Sequence, residues 1–177
     1  MKPPLLIAGI GNIFFGDDAF GSEVARALMR RPLPEGVRVE DFGIRSYDLA
    51  YALMEGGDAI LIDAVPRGET PGTLYLIEPD PDGLEGDDGI IADAHSMNPV
   101  RVLEMVRSLG GQTGRLYLVG CEPSVLETDD GAMGLSESVQ AAVPHAIEMI
   151  ESLMDDLLHE TNNPLRSDRT GAAKEVI

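Results

Sequence analysis

The sequence has no tryptophan, a single cysteine and few residues of positive charge. One cysteine, Cys121, excludes an internal disulfide and is typical of a reducing compartment, so we predict a cytoplasmic protein. Thirteen basic residues stand against 31 acidic ones, a formal net charge of −18. Nucleic acids and anionic membrane surfaces require a basic footprint, so neither is expected as a partner. The charge permits metal ions and cationic partners, and it also simply keeps a protein soluble.

Long hydrophobic runs are missing too. The run between Pro4 and Gly11 covers about six residues, too few for a signal-peptide core or for the roughly 20 residues of a membrane span. Hydrophobic residues still make up 44% of the 177 residues, enough for one domain with a substantial core. We predict one folded domain over residues 1–159 and a disordered tail over residues 160–177, which lacks periodicity.

Short apolar runs alternate along the chain with segments of helical spacing. Apolar runs bounded by glycine or polar residues predict buried strands, and apolar residues three or four apart predict helices. The opening β-α-β-α-β order predicts a three-layer α/β/α sandwich with a five-stranded, mostly parallel sheet. The predicted strands are 5–10, 37–42, 58–65, 72–79 and 115–121, and the predicted helices are 19–29, 47–55, 99–109 and 137–158.

Connection lengths and capping residues add detail to this scheme. Residues 66–71 are too few for a crossover helix, so the strand 72–79 is predicted to lie antiparallel to the third strand at the sheet edge. Ser46 and Ser136 are predicted to cap the helices that follow them. Residues 79–94 are irregular and rich in carboxylates, which predicts a solvated loop.

Ligands of such folds bind at the carboxyl ends of the parallel strands. The side chains delivered there are Asn12, Asp17, Asp18, Asp41, Arg45, Asp63, His95 and Glu122. Asp63 ends the apolar stretch ILID, where a charge is costly unless it is paired or at the mouth of a site. With Asp18 and His95 it makes an N/O ligand set that suits zinc, nickel or iron better than calcium.

The stretch GIGNIFFGDDAFG, residues 9–21, admits three interpretations. Its first two glycines match a dinucleotide-binding turn, but Phe14 stands where the third should allow close helix–strand packing. An acidic pair would also oppose a pyrophosphate. Alternatively, Asp18 caps the first helix and Asp17 is part of a polar loop. In the third interpretation, Asp17 and Asp18 belong to a site that binds a cation. Cys121, behind an apolar run, is predicted to be a small buried hydrophobe rather than a nucleophile.

The same stretch resembles the opening motif of the hydrogenase maturation proteases, the endopeptidases that finish the large subunit of nickel–iron hydrogenases. Their pattern is a strand, G-x-G-N, four variable residues, an acidic pair and x-x-G. Further blocks agree in order and spacing, and together they run from residue 5 to about 153. These blocks are ILIDAV with PGTLYLIE, AHSMNPVRVLEMV, and LVGCEPSVLE with MGLSESV.

The resemblance implies a site in which Asp18, Asp63 and His95 recognise nickel already placed in the hydrogenase precursor. It also implies removal of a short C-terminal peptide, so we expect an aspartic-type or metal-assisted hydrolase. Asp18 and Asp63 are the predicted catalytic residues, and the large-subunit precursor is the predicted partner. The metal is nickel presented by the substrate, or another divalent metal in the isolated protein.

The chain departs from the family pattern after the second strand. Many members have Gly-Gly-Thr there, whereas this chain reads DFGIRS. Arg45 in this turn is predicted to contact carboxylate groups of the precursor, with a solvated loop arginine as the alternative. Asn12 and Asp41 are predicted to bind substrate with it. Two other function classes stay open: a nucleotide-binding α/β enzyme and a non-catalytic chaperone that grips the precursor.

Overall fold

Five strands and four helices form the part of the chain that the computed structural model describes, which is residues 4–79, 99–124, 126 and 133–162. The strands are β1 (Leu5–Ile10), β2 (Val37–Gly43), β3 (Ala59–Ala64), β4 (Leu74–Ile77) and β5 (Leu116–Cys121). The helices are α1 (Phe20–Leu28), α2 (Ser46–Leu53), α3 (Pro99–Ser108) and α4 (Glu137–Asn162). The sheet order is β2-β1-β3-β5-β4, with β4 antiparallel and the other pairs parallel.

Alternate residues of each strand face opposite helix layers, as the two-residue period of a strand requires. Along β1, Leu5 and Ile7 pack in the core formed with α1 and α4. Leu6 and Ile10 pack in the core formed with α2 and α3. Because helices cover both faces, β1 and β3 are apolar and buried along nearly their whole length. The predicted three-layer sandwich is confirmed.

The position and direction of β4 confirm the predicted antiparallel edge strand, but its predicted partner is wrong. β4 pairs with β5, with Leu76 opposite Val119, and β5 takes the place beside β3. The burial of the two strands explains this order. β5 is buried at nearly every position and fits between two neighbours, whereas β4 is half-buried throughout and fits the edge.

Helix α1 lies unusually close to the sheet because Gly21 has no side chain. A Cβ at Gly21 would collide with the backbone carbonyls of Ile10 in β1 and Ile62 in β3. Gly9 in β1 contributes from the other side, because a Cβ there would collide with the Gly21 carbonyl. The argument that Phe14 excludes close helix–strand packing is therefore wrong. Phe14 lies in an exposed loop before the helix, and Gly21 permits the approach.

The two predicted serine caps behave differently from expectation. Helix α2 begins at Ser46 itself, with Arg45 as the N-cap residue and no side-chain capping bond. Ser136 directly precedes α4, and its carbonyl accepts a hydrogen bond from the N–H of Gln140. The Ser136 hydroxyl, however, donates to the carboxylate of Asp17 in another part of the chain.

The end of α4 lies at Asn162, beyond the predicted domain boundary at residue 159. Residues 80–98 and 163–177 lie outside the described residues, so the solvated acidic loop and the disordered tail stay predictions. Among the helices that are described, none combines the length and the apolar character needed to cross a membrane.

Substituting Gly21 by alanine is expected to destabilise the fold, although alanine ordinarily favours a helix by about 1 kcal/mol over glycine. Overpacking against fixed backbone costs about 1–3 kcal/mol. Urea unfolding of Gly21→Ala should show a loss of free energy of unfolding of this order. Glu23→Ala, at an exposed position of the same helix, should stay within about 0.5 kcal/mol of wild type. A Gly21→Ala protein as stable as wild type would contradict the close approach.

Candidate functional site

The candidate site lies where β1 and β3 end side by side. Gly9 is opposite Ile62 in this parallel pair, so the loop after β1 and the side chain of Asp63 reach the same edge of the sheet. A short 3-10 turn, Gly16–Ala19, follows that loop and leads into α1. It brings Asp18 close enough for its charge to act on the Asp63 carboxyl. The fold thus brings together two of the three predicted metal ligands.

Asp63 is a carboxylic acid inside an otherwise apolar strand. It is 7% exposed, and its Oδ1 accepts a hydrogen bond of 2.8 Å from the backbone N–H of Ala64. Burial raises the pKa of Asp63 well above its ordinary value, the charge of Asp18 raises it further, and the Ala64 bond opposes both. Two neighbouring carboxylates, one of them buried, are costly when both are ionised. The pair is therefore suited to a bound cation.

Asp18 is held by the loop that precedes it. Its Oδ2 accepts a 2.8 Å hydrogen bond from the N–H of Asn12, whose Oδ1 accepts one of 3.0 Å from the N–H of Phe14. Gly11 lets the loop pass so close that a side chain there would collide with the Asp18 carbonyl. The N-cap residue of α1 is Ala19, so the interpretation of Asp18 as the helix cap is wrong.

Asp17 is a structural residue that the sequence analysis missed. It is completely buried, and its Oδ2 accepts hydrogen bonds from the Ser124 N–H at 2.8 Å and the Ser136 hydroxyl at 2.9 Å. Its Oδ1 accepts a 2.7 Å bond from the Ser136 N–H. The assignment to a polar loop is therefore wrong. Its partners lie 107 and 119 residues away, so no local spacing indicates this contact.

Asp41 and Arg45, at the end of β2, make contacts within the fold. The Asp41 carboxylate accepts hydrogen bonds from the Ser22 hydroxyl at 2.7 Å and the Arg26 Nε at 2.9 Å. The Arg45 guanidinium donates to the carbonyls of Asp41 and Phe42, at 2.6 and 3.2 Å, and to the Asp48 carboxylate at 3.0 Å. These bonds stabilise the β2–α2 turn. The substrate-binding roles of Asn12, Asp41 and Arg45 stay predictions.

Glu122 shapes the loop that follows Asp63. The buried carboxylate accepts hydrogen bonds from the N–H groups of Arg67 and Gly68, at 2.8 and 3.2 Å, and from the Tyr75 hydroxyl at 2.6 Å. Burial alone would raise the pKa of Glu122, but these hydrogen bonds lower it below its ordinary value. An ionised Glu122 therefore fixes the β3–β4 connection beside the site.

The remaining predicted groups bear on the metal and on the nucleophile. His95 lies outside the described residues, and the described residues contain no cluster of three or more His, Cys, Asp or Glu that could hold a metal ion. The set of Asp18, Asp63 and His95 thus stays a prediction, with its two carboxylates near each other.

Cys121 is a buried free thiol, and burial, helped by the charges of Asp17 and Glu122, raises its pKa to about 12. A thiol of this kind is a poor nucleophile.

Exposed apolar side chains occur in the loop after β1 and in the chain that follows β2. The Gly11 N–H donates a 3.0 Å hydrogen bond to the Gly43 carbonyl, which joins the loop after β1 to the turn after β2. Four large apolar or aromatic residues of these two segments are exposed: Phe14, Phe15, Ile44 and Tyr47. We call these four residues the apolar rim. Exposed groups of this kind are typical of a surface that binds another macromolecule.

Replacing Asp63 by asparagine is expected to stabilise the protein at neutral pH after metal has been removed by a chelator. Unfolded aspartate ionises near pH 3.9. The pKa of Asp63 is higher in the folded protein than in the unfolded chain. Its contribution to the free energy of unfolding is therefore fully present below pH 3.9 and is lost as the pH rises through the folded pKa. Asn keeps an acceptor for Ala64 and carries no charge. We expect a higher Tm at pH 7, by roughly 2–4 °C per kcal/mol relieved, and a smaller difference near pH 4.

Thermal scans of Asp63→Asn and of the control Asp155→Asn, at an exposed position of α4, between pH 4 and 8 test this expectation. The control should show no such pH-dependent gain. A Tm of Asp63→Asn at or below that of wild type at pH 7 would contradict the unfavourable burial of the charge.

Comparison with known proteins agrees with the fold. The family model of the hydrogenase maturation proteases matches residues 22–153. MJ0253 of Methanocaldococcus jannaschii, itself assigned provisionally to these proteases, is 36% identical over 154 residues, which is 84% of this chain and 95% of that protein. The hydrogenase expression/formation protein HoxM of Azotobacter vinelandii is 37% identical over 79 residues, 44% of this chain and 38% of HoxM.

The solved structures include the hydrogenase maturating endopeptidase HybD from E. coli. It matches with a TM-score of 0.73 and 26% identity, over 87% of this chain and 93% of that chain. The family match runs from within α1 to most of α4 and includes the strand that carries Asp63. This chain belongs to the hydrogenase maturation protease family and is a hydrolase of the endopeptidase class.

Proposed function

We propose that this hydrolase removes a C-terminal peptide from the large-subunit precursor of a nickel–iron hydrogenase, and that it recognises the nickel bound in that precursor. The observation that carries the proposal is the buried Asp63 beside Asp18, at the carboxyl ends of β1 and β3, in a chain of this family. Two carboxylates in this arrangement gain most from a cation that arrives with the substrate.

The metal belongs to the substrate in this proposal. Before the precursor binds, the charges of Asp18 and Asp63 repel each other, and a nickel ion at the docking face relieves that repulsion. His95 is proposed as the third group that contacts the nickel, which accepts imidazole and carboxylate ligands together. A precursor without nickel lacks this attraction, so it is proposed to bind weakly and to be cleaved slowly.

Peptide hydrolysis requires an acceptor for the proton of the attacking water and a donor for the departing amine. Asp18 and Asp63 are the carboxylates proposed for this work, and the effect of the Asp18 charge on the pKa of Asp63 supports the choice. In an aspartic-type mechanism the two carboxylates themselves accept the proton of the water and donate a proton to the departing amine. In a metal-assisted mechanism the substrate's nickel polarises the carbonyl or the water, and a carboxylate accepts the proton. Either mechanism fails when the carboxylates become amides.

The surroundings of the acids favour a protein substrate over a small molecule. The apolar rim offers aromatic and aliphatic contacts of the kind found at the centre of protein interfaces. Asp17 and Asp18 also occupy the turn in which a dinucleotide-binding protein would hold a pyrophosphate, and their charge opposes one. We further propose that the protein acts in the cytoplasm, where a buried free thiol such as Cys121 stays reduced.

Cleavage of a nickel-loaded large-subunit precursor tests the proposal directly. Intact-mass measurement should show loss of one defined C-terminal peptide. Asp18→Asn and Asp63→Asn should each lower the rate by at least about 100-fold, because catalytic carboxylates contribute roughly 10²–10⁴-fold. Asp155→Asn, at an exposed position of α4, should cleave like wild type.

Each alternative has its own signature in the same assay. An unchanged precursor mass together with a stable complex would indicate a chaperone rather than an endopeptidase. Equal cleavage of nickel-free and nickel-loaded precursor would overturn the recognition of nickel. A thermal shift with NAD or ATP but none with nickel, in a protein without cleavage activity, would favour nucleotide binding.

Truncating the apolar rim is expected to weaken precursor binding without touching the carboxylates. We expect Phe14→Ser and Ile44→Ser each to raise KM roughly tenfold, the effect of a moderate interface hot spot, with little change in kcat. Met29→Ser, at an exposed position at the far end of α1, is the matched control and should leave KM unchanged. Steady-state cleavage measured against precursor concentration separates the two parameters. Wild-type KM values in both rim variants would exclude this surface.

A further inference from the structure

The buried carboxylate of Asp17 joins the turn that bears Asp18 to the chain between β5 and α4. Three hydrogen bonds to it, of 2.7 to 2.9 Å, come from Ser124 and Ser136. Asp17 is completely shielded from solvent, so these donors replace the water that its oxygens lost. The contact therefore holds two distant parts of the chain in one arrangement.

The side chains of Asp17 and Asp18 point in different directions, although both residues belong to the 3-10 turn Gly16–Ala19. Three residues make one turn of a 3-10 helix, so neighbouring side chains project about 120° apart. Asp17 points inward to the two serines, while Asp18 is partly exposed, bonded to the Asn12 N–H and acting on Asp63. A shift of the Asp17 carboxylate moves the backbone that carries Asp18.

We infer that Asp17 is a positioning residue for the proposed hydrolysis: through Ser124 and Ser136 it fastens the 3-10 turn and so fixes the position of Asp18 at the edge of the sheet where Asp63 emerges. This inference rests on the proposed function for its catalytic consequence, but its structural part stands on the contacts of Asp17 alone. Asp17 itself does not contact the substrate in this scheme.

Asparagine is an informative replacement because it keeps the size of the side chain and changes its hydrogen bonding. The oxygens of Asp17 accept from two backbone N–H groups and one hydroxyl. In Asp17→Asn one oxygen becomes an NH₂ group, which faces an N–H donor and cannot accept from it. The turn therefore loosens without a large change in volume.

The kinetic test compares Asp17→Asn with wild type on nickel-loaded precursor. Misplacement of a reacting group by about 1 Å costs up to roughly 100-fold, so we expect kcat to fall about 10- to 100-fold with KM nearly unchanged. Ile150→Val, at a buried core position of α4, is the control for lost stability. It should keep wild-type kcat at temperatures well below its Tm. A wild-type kcat in Asp17→Asn, or an equal fall in Ile150→Val, would overturn the inference.

Amide hydrogen exchange read by NMR tests the same inference without any cleavage. Asp17→Asn should exchange faster than wild type at Ser124 or Ser136, whichever backbone N–H faces the new NH₂ group, and also at Asn12, which donates to Asp18. Unchanged protection of Asn12 would mean that Asp17 does not position Asp18. If wild type fails to cleave precursor, the proposed function is wrong while this measurement still decides the positioning role.

Ser136→Ala provides a gentler variant if Asp17→Asn fails to fold. It removes the hydroxyl donor and leaves both backbone donors to Asp17 in place. We expect a two- to threefold lower kcat and faster exchange at Asn12. Wild-type values of both quantities in Ser136→Ala would then overturn the inference.

Discussion

The close contact of Gly21 with the carbonyls of Ile10 and Ile62 is the constraint on which the site depends. It seats α1 directly over the ends of β1 and β3, so the turn that leads into the helix must pass across the edge where Asp63 emerges. A larger residue at this position would push the helix outward and carry the turn with it. The packing of one helix on the sheet thus sets the distance between two acids that are far apart in the chain.

The region of the site contains two kinds of buried carboxylate: some stabilise the fold, and one is unfavourable to it. Asp17 and Glu122 are buried acids whose oxygens are satisfied by donors from distant segments. Asp63 is also buried, yet its pKa is raised by burial and by the charge of Asp18. Such an unfavourable pair is typical of a functional site, where the ligand supplies the missing charge. Hydrogen-bond donors thus stabilise the carboxylates of Asp17 and Glu122, whereas burial and a neighbouring charge make an ionised Asp63 unfavourable.

The sequence predicted the layers, the strand positions and the meeting of Asp18 with Asp63, because apolar periodicity and strand order are local properties with strong physical consequences. It misjudged the partner of β4, since a short connection limits the direction of a strand more than its neighbour. It also misjudged Phe14, because the helix starts later than the glycine motif suggests and Gly21 makes the close contact.

The sequence by itself determined the fold class, the family and the edge of the sheet at which the acids gather, because these follow from the order of strands and helices and from short motifs. The tertiary structure alone decided which member of the acidic pair faces inward. It decided this through Ser124 and Ser136, which reach Asp17 from more than 100 residues away. The family motif singles out Asp18, but the physical difference between the two acids comes from the fold: a distant segment supplies hydrogen-bond donors to Asp17, and the charge of Asp18 acts on the carboxyl of Asp63.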